Sequence, residues 1–356
     1  MNRRSIMIGG ISAGVINIPK GIWARSQGAF YVPSEEQRHE RSFMQWPVSR
    51  RVYPDTVFLG MVQRTIADIA NVISEFEPVT LLAAGVHHGR IRRMVSARVE
   101  LWDVETEDLW CRDSGPIFVV SDTGNMAVLD IAFNAWGKKQ VHQKDSLIAF
   151  AVSERLNLPL VKTGLVGEAG GIEQNGQGIL VAHESSWVNE NRNPSLSRDQ
   201  IERSLLLAYG AEKMVWSAGL SGLDITDYHI DSLVRFTGPM RMLANLPEYP
   251  KEDDPFFTAA RATFDLLREN GLEVEILPEP HLPRVESHDF VAAYVNYYVC
   301  NGAVVAPQFG DERTDRLAVD TLQRHFPERE IITLNVDPLG ELGGGIHCAT
   351  QQMPAS

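Results

Sequence analysis

The sequence contains little cysteine and less positive than negative charge. Its 356 residues include three cysteines, Cys111, Cys300 and Cys348, which is too few and an odd number for a disulfide framework. Acidic residues outnumber basic ones by 46 to 33, which gives a formal net charge of −13. Because an acidic surface repels phosphates, this composition argues against a nucleic-acid partner and favours a cationic ligand.

Long apolar runs and common cofactor motifs are also missing. The body of the chain has no charge-free apolar run of about 18–20 residues, so we expect no membrane-spanning helix there. The glycines at 343–345 are not followed by the Lys-Ser/Thr of a phosphate loop, and no CxxC or HExxH spacing occurs. No low-complexity segment divides residues 31–356, which we interpret as one globular domain without a metal or organic cofactor.

The first 26 residues have the pattern of an export signal. Arg3 and Arg4 precede a weakly apolar, glycine-rich stretch at 6–18, and Lys20 and the small-x-small step at 24–26 follow it. This order predicts a twin-arginine signal peptide over residues 1–26, removed near Gln27, and a periplasmic protein. The alternative is a disordered or anchoring N-terminus on a cytoplasmic protein.

Apolar residues spaced three and four apart predict helices, and short apolar runs between them predict strands. The clearest helix has an apolar face from Phe58 to Phe76 and ends before Pro78. The other predicted helices are 87–97, 143–156, 197–209, with Ser197 as N-cap, 254–269 and 312–326. The predicted strands are 79–83, 117–120, 126–133, 179–182, 240–244, 272–277, 290–300 and 303–306. This spacing predicts a strand–strand–helix–strand unit repeated around an axis, with a site where the units converge.

A cysteine near the C-terminal end is a candidate nucleophile. Cys348 follows the three glycines at 343–345, which permit unusual backbone dihedrals and a close approach of a ligand to the backbone. The alternative is that Cys348 is a small buried apolar residue, as most cysteines are.

An imidazole and a carboxylate are predicted to lie side by side. Residues 227–236 have the alternation of a strand, which would place His229 and Asp231 on one face. The alternative is the exposed polar face of a half-buried strand. A metal site built from His229, Asp231, His347 and Cys348 is disfavoured because these residues lack a tight ligand spacing.

Three further segments offer groups that could bind a cation. A cation could stack on Trp110 while it pairs with Asp113, although these residues also fit a core tryptophan and a turn-capping aspartate. Glu168 lies beside the small residues 169–171, and Asn296 shares one face of the predicted 290–300 strand with two tyrosines. Two carboxylates can accept the paired N–H groups of a planar guanidinium. The combination of these acids with a thiol and an imidazole therefore favours a cationic amidine substrate.

Seven motifs, taken in order, resemble those of agmatine deiminase and its relatives, the bacterial Porphyromonas-type peptidylarginine deiminases. They span roughly residues 30–355 and lie at 110–116, 133–137, 189–194, 229–231, 294–298, 306–311 and 343–352. The resemblance implies an α/β fold, the pentein fold, which is a five-bladed pseudo-symmetric α/β propeller of ββαβ units with a central active site.

The resemblance also implies roles for individual residues. Cys348 falls on the family's nucleophile and His229 on its general acid/base. Asp113 and Asp231 fall on the two carboxylates that bind the guanidinium. The substrate-binding positions are matched by Trp110, Asn296 and Glu168. No metal or cofactor is implied.

The expected reaction is hydrolytic deimination of agmatine to N-carbamoylputrescine and ammonia, through a covalent amidino-cysteine. Four positions depart from the agmatine enzymes and leave the substrate open, namely Ala169, Glu173, Asn175 and Tyr228. The first alternative is a peptidylarginine deiminase that forms peptidyl-citrulline, and the second is a non-catalytic guanidine-binding protein. The motifs do not specify the oligomeric state, and they are compatible with a homo-oligomer.

Overall fold

The computed structural model describes residues 29–250, 253–287 and 290–355, so the predicted signal peptide lies outside the described residues. Within these ranges the strands are β1 (Phe30–Tyr31), β2 (His39–Gln45), β3 (Val79–Ala83), β4 (Val99–Asp103), β5 (Ile117–Ser121), β6 (Met126–Asp130), β7 (Leu160–Lys162), β8 (Ile172–Gln174), β9 (Ile179–His183), β10 (Lys213–Ser217), β11 (Val234–Gly238), β12 (Arg241–Leu246), β13 (Glu273–Pro278), β14 (Tyr298–Cys300), β15 (Ala303–Gln308), β16 (Glu330–Asn335) and β17 (Thr350–Pro354).

The helices in the same ranges are α1 (Thr56–Ile73), α2 (Gly85–Ile91), α3 (Cys111–Ser114), α4 (Ala135–Lys138), α5 (Ile148–Leu156), α6 (Glu184–Trp187), α7 (Arg198–Tyr209), α8 (Pro255–Glu269), α9 (Glu312–His325) and α10 (Asp337–Gly340). Single 3₁₀ turns occur at Asp145–Leu147, Ala169–Gly171 and Ile230–Ser232. Among the described helices, none combines the length and apolar character needed to cross a membrane.

The described strands form five sheets, with strand orders β1-β5-β6-β7, β10-β9-β8, β11-β12-β13, β14-β15-β16 and β17-β2-β3-β4. Each sheet contains an antiparallel strand pair, then a helix, then a parallel strand. The connecting helices are α5, α7, α8, α9 and α1. The strand–strand–helix–strand unit predicted from the helix spacing therefore occurs in every one of these sheets. In the last of them β17 pairs with β2, with Thr350 opposite Met44.

The helices form where apolar spacing and capping residues coincide. Asp55 caps α1 by accepting the N–H of Val57, and α7 begins after Ser197 in a capping box with Gln200. The apolar face of α1 is buried from Leu59 to Ile73 in the same hydrophobic cluster as Cys348, and the half-buried Phe58 and Phe76 pack against that cluster. The packed core of this unit therefore supports the loop that carries the predicted nucleophile.

The strand predicted over 290–300 is wrong for most of its length, because only residues 298–300 form β14. Tyr294, Val295 and Tyr297 are fully buried without strand pairing, and the backbone N–H of Tyr294 donates to the side chain of Asn245. A continuous apolar run is buried on all sides, so it lacks the alternation that would distinguish a strand from a core-filling irregular segment. The shared strand face predicted for Asn296 and two tyrosines therefore does not exist.

The strand predicted over 227–236 is also wrong at its start. Asp227 and Tyr228 have φ values of 59° and 69°, in the left-handed region that breaks a strand. His229 then caps a 3₁₀ turn that contains Asp231, and β11 begins only at Val234. The predicted strand 126–133 ends early for the same reason, since Ala132 has a φ of 44°. The predicted 87–97 helix is displaced to 85–91.

Candidate active site

The predicted site residues lie in loops and short turns that lead into the first strand of the antiparallel pair in each sheet. Asp113 precedes β5, Glu168 precedes β8 and Asn296 precedes β14. His229 and Asp231 precede β11, and Cys348 precedes β17. Each of the five sheets therefore supplies one segment of the site, so the repeated unit brings together residues that are far apart in the chain.

The thiol of Cys348 is buried and lies between an acid and an amide. Its Sγ donates to Asp231 Oδ2 at 3.4 Å, and Asn296 Nδ2 donates to the sulfur at 3.2 Å. Burial raises the pKa of the Cys348 thiol well above its usual range, and the carboxylates of Asp231 and Asp113 raise it further. The thiol is therefore protonated at neutral pH in this state.

The imidazole of His229 lies between two carboxylates. Its Nε2 is 3.2 Å from Glu168 Oε2, and its Nδ1 is 3.7 Å from Asp113 Oδ1. Although burial opposes the charged form, Asp113 and Glu168 raise the pKa of His229 to about 9. His229 is therefore an imidazolium at neutral pH and has a proton to donate.

The two predicted guanidinium-binding carboxylates differ in their surroundings. Asp113 Oδ2 accepts the indole N–H of Trp136 at 2.9 Å, and burial raises the Asp113 pKa to about 6. Asp231 Oδ2 lies 2.8 Å from His347 Nδ1, and although burial opposes it, His347 holds the Asp231 pKa below its ordinary value. Asp231 Oδ1 is buried and has no hydrogen-bond partner among the described residues. Such an unpaired buried oxygen is suited to an N–H donor of a ligand.

Asp113, His229 and Asp231 lie close together around Gly170. A Cβ atom at this position would lie 2.7 Å from Asp113 Oδ1, 2.8 Å from His229 Nδ1 and 3.2 Å from Asp231 Oδ2. Trp110 closes another wall, since a Cβ on Gly344 would lie 2.6 Å from its ring and 3.4 Å from Cys348 Sγ. The structure thus brings the predicted thiol, imidazole, carboxylates and aromatic ring around one buried space.

Glu168 is held from its other side by an arginine that the sequence reasoning did not single out. Arg192 Nε is 2.9 Å from Glu168 Oε2, and Arg192 Nη1 donates to Asp227 at 2.7 Å. The Glu168 carboxylate thus contacts both His229 and Arg192, and these contacts hold the imidazole in place. The contact between Glu168 and substrate stays a prediction.

Three supporting side chains were missed as site residues although each stands in a motif quoted above. Arg192 lies in the 189–194 segment, Trp136 in the 133–137 segment, and His347 directly before Cys348. Their motifs were the available signal, but their roles depend on partners far away in the sequence. Within the described residues no group of three or more His, Cys, Asp or Glu side chains has the arrangement to hold a metal ion.

Comparisons with known proteins identify the family of this chain. A family model described as "Porphyromonas-type peptidyl-arginine deiminase" matches residues 31–354. The "Putative agmatine deiminase 1" of Listeria monocytogenes is 32% identical over 357 residues, covering 91% of this chain and 96% of the relative. The "Putative agmatine deiminase" of Legionella pneumophila (strain Paris) is 31% identical, covering 94% of this chain and 98% of the relative.

Solved structures show the same likeness. The agmatine deiminase of Enterococcus faecalis superposes with a TM-score of 0.83 at 27% identity, over 92% of this chain and 98% of that one. A substrate-bound agmatine deiminase of C. jejuni superposes with a TM-score of 0.82 at 26% identity, over 91% of this chain and 96% of that one. A dimethylarginine dimethylaminohydrolase superposes with a TM-score of 0.52 at 11% identity, over 88% of this chain and 100% of that one. This likeness shows a shared α/β fold alone. The chain therefore belongs to the Porphyromonas-type peptidyl-arginine deiminase family, a group of hydrolases that act on the C–N bonds of amidines.

Proposed function

We propose that this enzyme hydrolyses the guanidinium group of agmatine, forming N-carbamoylputrescine and ammonia through a covalent amidino-cysteine. The observation that carries the proposal is the convergence of Cys348, His229, Asp113 and Asp231 on the buried space beside Gly170. Agmatine is preferred over peptidyl-arginine because both relatives named above are described as putative agmatine deiminases, and two of the solved structures are agmatine deiminases.

Substrate binding is the first step. A guanidinium is planar and offers paired N–H donors, which match two carboxylates. Asp231 Oδ1 is unpartnered among the described residues, and Asp113 Oδ1 receives one weak bond, from the backbone N–H of Gly170 at 3.3 Å. Held between them, the guanidinium carbon would lie within about 3–3.5 Å of Cys348 Sγ, a productive attack distance. The arriving cation also offsets the carboxylates that keep the thiol protonated, so substrate binding favours the thiolate, and the thiol proton is released to solvent.

Bond breaking uses the imidazolium of His229. The thiolate adds to the guanidinium carbon, and His229 donates its proton to the departing nitrogen, which leaves as ammonia. The neutral imidazole then takes a proton from water, and the resulting hydroxide adds to the amidino carbon. Collapse of that adduct releases the ureido product and frees the thiol.

The convergence of one segment from each sheet supports a further proposal about the fold. We infer that the five strand–strand–helix–strand units surround a common axis as a five-bladed propeller, with the site at its centre. A crystal structure in which the five sheets do not surround the site would contradict this arrangement.

A substrate panel tests the proposed function. Purified enzyme is incubated with agmatine, free arginine or an arginine-containing peptide, and both ammonia and ureido product are measured. We expect agmatine to give the highest kcat/KM. A preference for the peptide would support the peptidylarginine alternative, and binding without ammonia release from any guanidino compound would show a non-catalytic protein.

We expect Gly170→Ala to lower kcat/KM by about a hundredfold, because a displacement near 1 Å of catalytic groups costs on that order. The added methyl group would lie 2.7 Å from Asp113 Oδ1 and 2.8 Å from His229 Nδ1, so both groups must move. Gly89→Ala is the matched control, since a Cβ there meets nothing within 4 Å. Steady-state kinetics and Tm measurements check this, and equal kcat/KM in both variants would contradict the site geometry.

We expect kcat/KM to rise with pH and to change slope near pH 6 and near pH 9. Asp113 must be ionised to bind the guanidinium, and its pKa of about 6 means that activity falls more steeply as the pH drops below 6. The thiol is protonated at rest and reacts as a thiolate, so activity rises with pH until the loss of the His229 proton, near its pKa of about 9, cancels that gain. Initial rates across this range, with circular dichroism as a control for unfolding, test both changes of slope. Activity that keeps rising with the same slope through pH 9 would contradict the role of His229.

A further inference from the structure

A group of buried charged side chains lies on the far side of Asp231 from the thiol. We call it the rear cluster, and its members besides Asp231 are Glu35, Arg112, Glu173, Arg235 and His347. Their side chains are at most 11% exposed. The mechanism above uses none of these five residues. Two hydrogen bonds nevertheless connect the cluster to the reacting sulfur, one between His347 and Asp231 and one from Cys348 Sγ to Asp231.

His347 joins this cluster to Asp231 through both of its ring nitrogens. Nδ1 is 2.8 Å from Asp231 Oδ2, and Nε2 is 3.0 Å from Glu35 Oε2. A neutral imidazole has one N–H and one lone pair, so either tautomer would direct a lone pair at a carboxylate oxygen. Only the doubly protonated ring can donate to both carboxylates at these distances.

The charge balance of the rear cluster leads to the same protonation state. Three carboxylates lie in it with two guanidinium groups, which leaves one negative charge in excess if His347 is neutral. Glu35 is 3.2 Å from Arg112 and 3.0 Å from Arg235, and Arg235 is 2.7 Å from Glu173. Because an unpaired buried charge is costly, an imidazolium at His347 gives the only neutral cluster with all these pairs ionised.

Two carboxylates of the rear cluster are held in the ionised form by their cationic neighbours. Burial opposes ionisation of Glu35, but Arg235, His347 and Arg112 hold its pKa well below the ordinary value. Burial also opposes ionisation of Asp231, but His347 lowers the Asp231 pKa below its ordinary value. Glu173 has a raised pKa because burial outweighs its pairing with Arg235.

We propose that His347 is a positioning residue of the deiminase reaction, which in its doubly protonated form bridges Glu35 and Asp231 and holds the Asp231 carboxylate ionised and oriented toward the guanidinium. The inference rests on the proposed function for its catalytic consequence, but not for the charge of His347. The bond to Nδ1 occupies Asp231 Oδ2 and leaves Oδ1 for substrate.

Solvent can reach this histidine without passing the thiol. A polar cavity of about 120 Å³ is lined by Glu35, Arg112, Arg235 and His347, with amide side chains such as Asn175. At roughly 30 Å³ per molecule this volume holds several waters. Cys348 is not among the lining residues, so proton exchange at His347 can continue while substrate covers the sulfur.

Nitrogen NMR of the wild-type protein tests the protonation state directly. Protein labelled with ¹⁵N-histidine is examined at about pH 8, where an ordinary imidazole with a pKa of about 6.5 is neutral. We expect the His347 signals, assigned by their loss in His347→Gln, to show two protonated ring nitrogens. His183 is the internal reference for a buried neutral ring, because burial lowers its pKa to about 4. A single protonated nitrogen at His347 would overturn the proposal.

Kinetics test the positioning role. We expect His347→Gln, which keeps one donor, to raise KM for the guanidino substrate about tenfold, and His347→Leu, which keeps none, to raise it about a hundredfold. In both variants kcat should fall less than KM rises. His325→Gln removes another histidine–carboxylate pair, with Glu275 on the exposed side of α9, and should change neither.

The two proposals fail in different ways. Unchanged KM in a folded His347→Leu enzyme overturns the positioning role while the wild type still releases ammonia. A wild type that releases no ammonia from any guanidino compound refutes the proposed function, while the NMR signals still report the charge of His347. If the variants do not fold, the His347 ring signals are assigned in the wild type by through-bond correlation to the His347 backbone, and the wild-type spectrum remains the deciding measurement.

Discussion

Cys348→Ala is expected to lower kcat by at least about a thousandfold, because removing a catalytic nucleophile leaves only binding and electrostatic contributions to the rate. Cys348 Sγ is the sole thiol within hydrogen-bond distance of Asp231 in the part of the chain described by the structure. Its removal takes away one long hydrogen bond to Asp231 Oδ2, which keeps its contact with His347 Nδ1, so the fold should tolerate the change. Ammonia release and thermal unfolding are measured together.

Cys300→Ala is the matched control for this prediction. Cys300 is also a buried free thiol, but it lies in β14 and its pKa is raised by burial without any contact to the site carboxylates. We expect the control to retain wild-type kcat, and to share with Cys348→Ala an unchanged far-UV spectrum. Normal turnover by a folded Cys348→Ala enzyme would exclude a covalent amidino-cysteine.

His229→Gln is expected to lower kcat by about 10²–10⁴-fold, the usual contribution of general acid–base catalysis. The glutamine amide can keep a hydrogen bond to Glu168, which now lies 3.2 Å from His229 Nε2, but it has no proton to transfer. The change of slope in the pH profile near 9 should disappear, because it belongs to the imidazolium. A change of slope that remains at the same pH would belong to another group.

The same variant separates the two halves of the reaction. With an S-methylisothiourea analogue of agmatine, whose methanethiolate can leave without a proton from His229, the amidino-cysteine can still form in the variant. Hydrolysis of that intermediate still needs a base to take a proton from water, so we expect the covalent adduct to accumulate on Cys348 and to be visible by intact-mass spectrometry. His229→Gln in the Cys348→Ala background should show no adduct. An adduct in that double variant would place the covalent bond elsewhere.

Elements specified by local patterns could be predicted from the sequence. The apolar spacing of α1 and the capping box at Ser197 depend on residues within one or two turns, and both helices form close to their predicted limits. The Asn-Gly pair at 301–302 is likewise a local hairpin signal, and it forms the two-residue turn that joins β14 to β15. These features need no knowledge of what packs against them.

The irregular segments around the site could not be predicted in the same way. His229 and Asp231 were predicted to meet by strand alternation, but the left-handed residues at 227 and 228 and the following 3₁₀ turn direct them instead. Such backbone is stabilised by distant partners, for example Arg192 and Lys139 on the Asp227 carboxylate. The motifs therefore identified which residues meet, whereas the contacts that orient them appear only in the folded chain.

The pairing of β17 with β2 has a consequence for how activity arises during folding. Thr350 and Met44 lie roughly 300 residues apart, so this sheet closes a long loop, and such non-local contacts form slowly. The loop carrying Cys348 leads directly into β17 and acquires its geometry only when that strand is in place. Partly folded chains that lack this pairing would therefore not hydrolyse guanidino compounds. During refolding, enzyme activity should appear later than the far-UV circular dichroism signal of the helices.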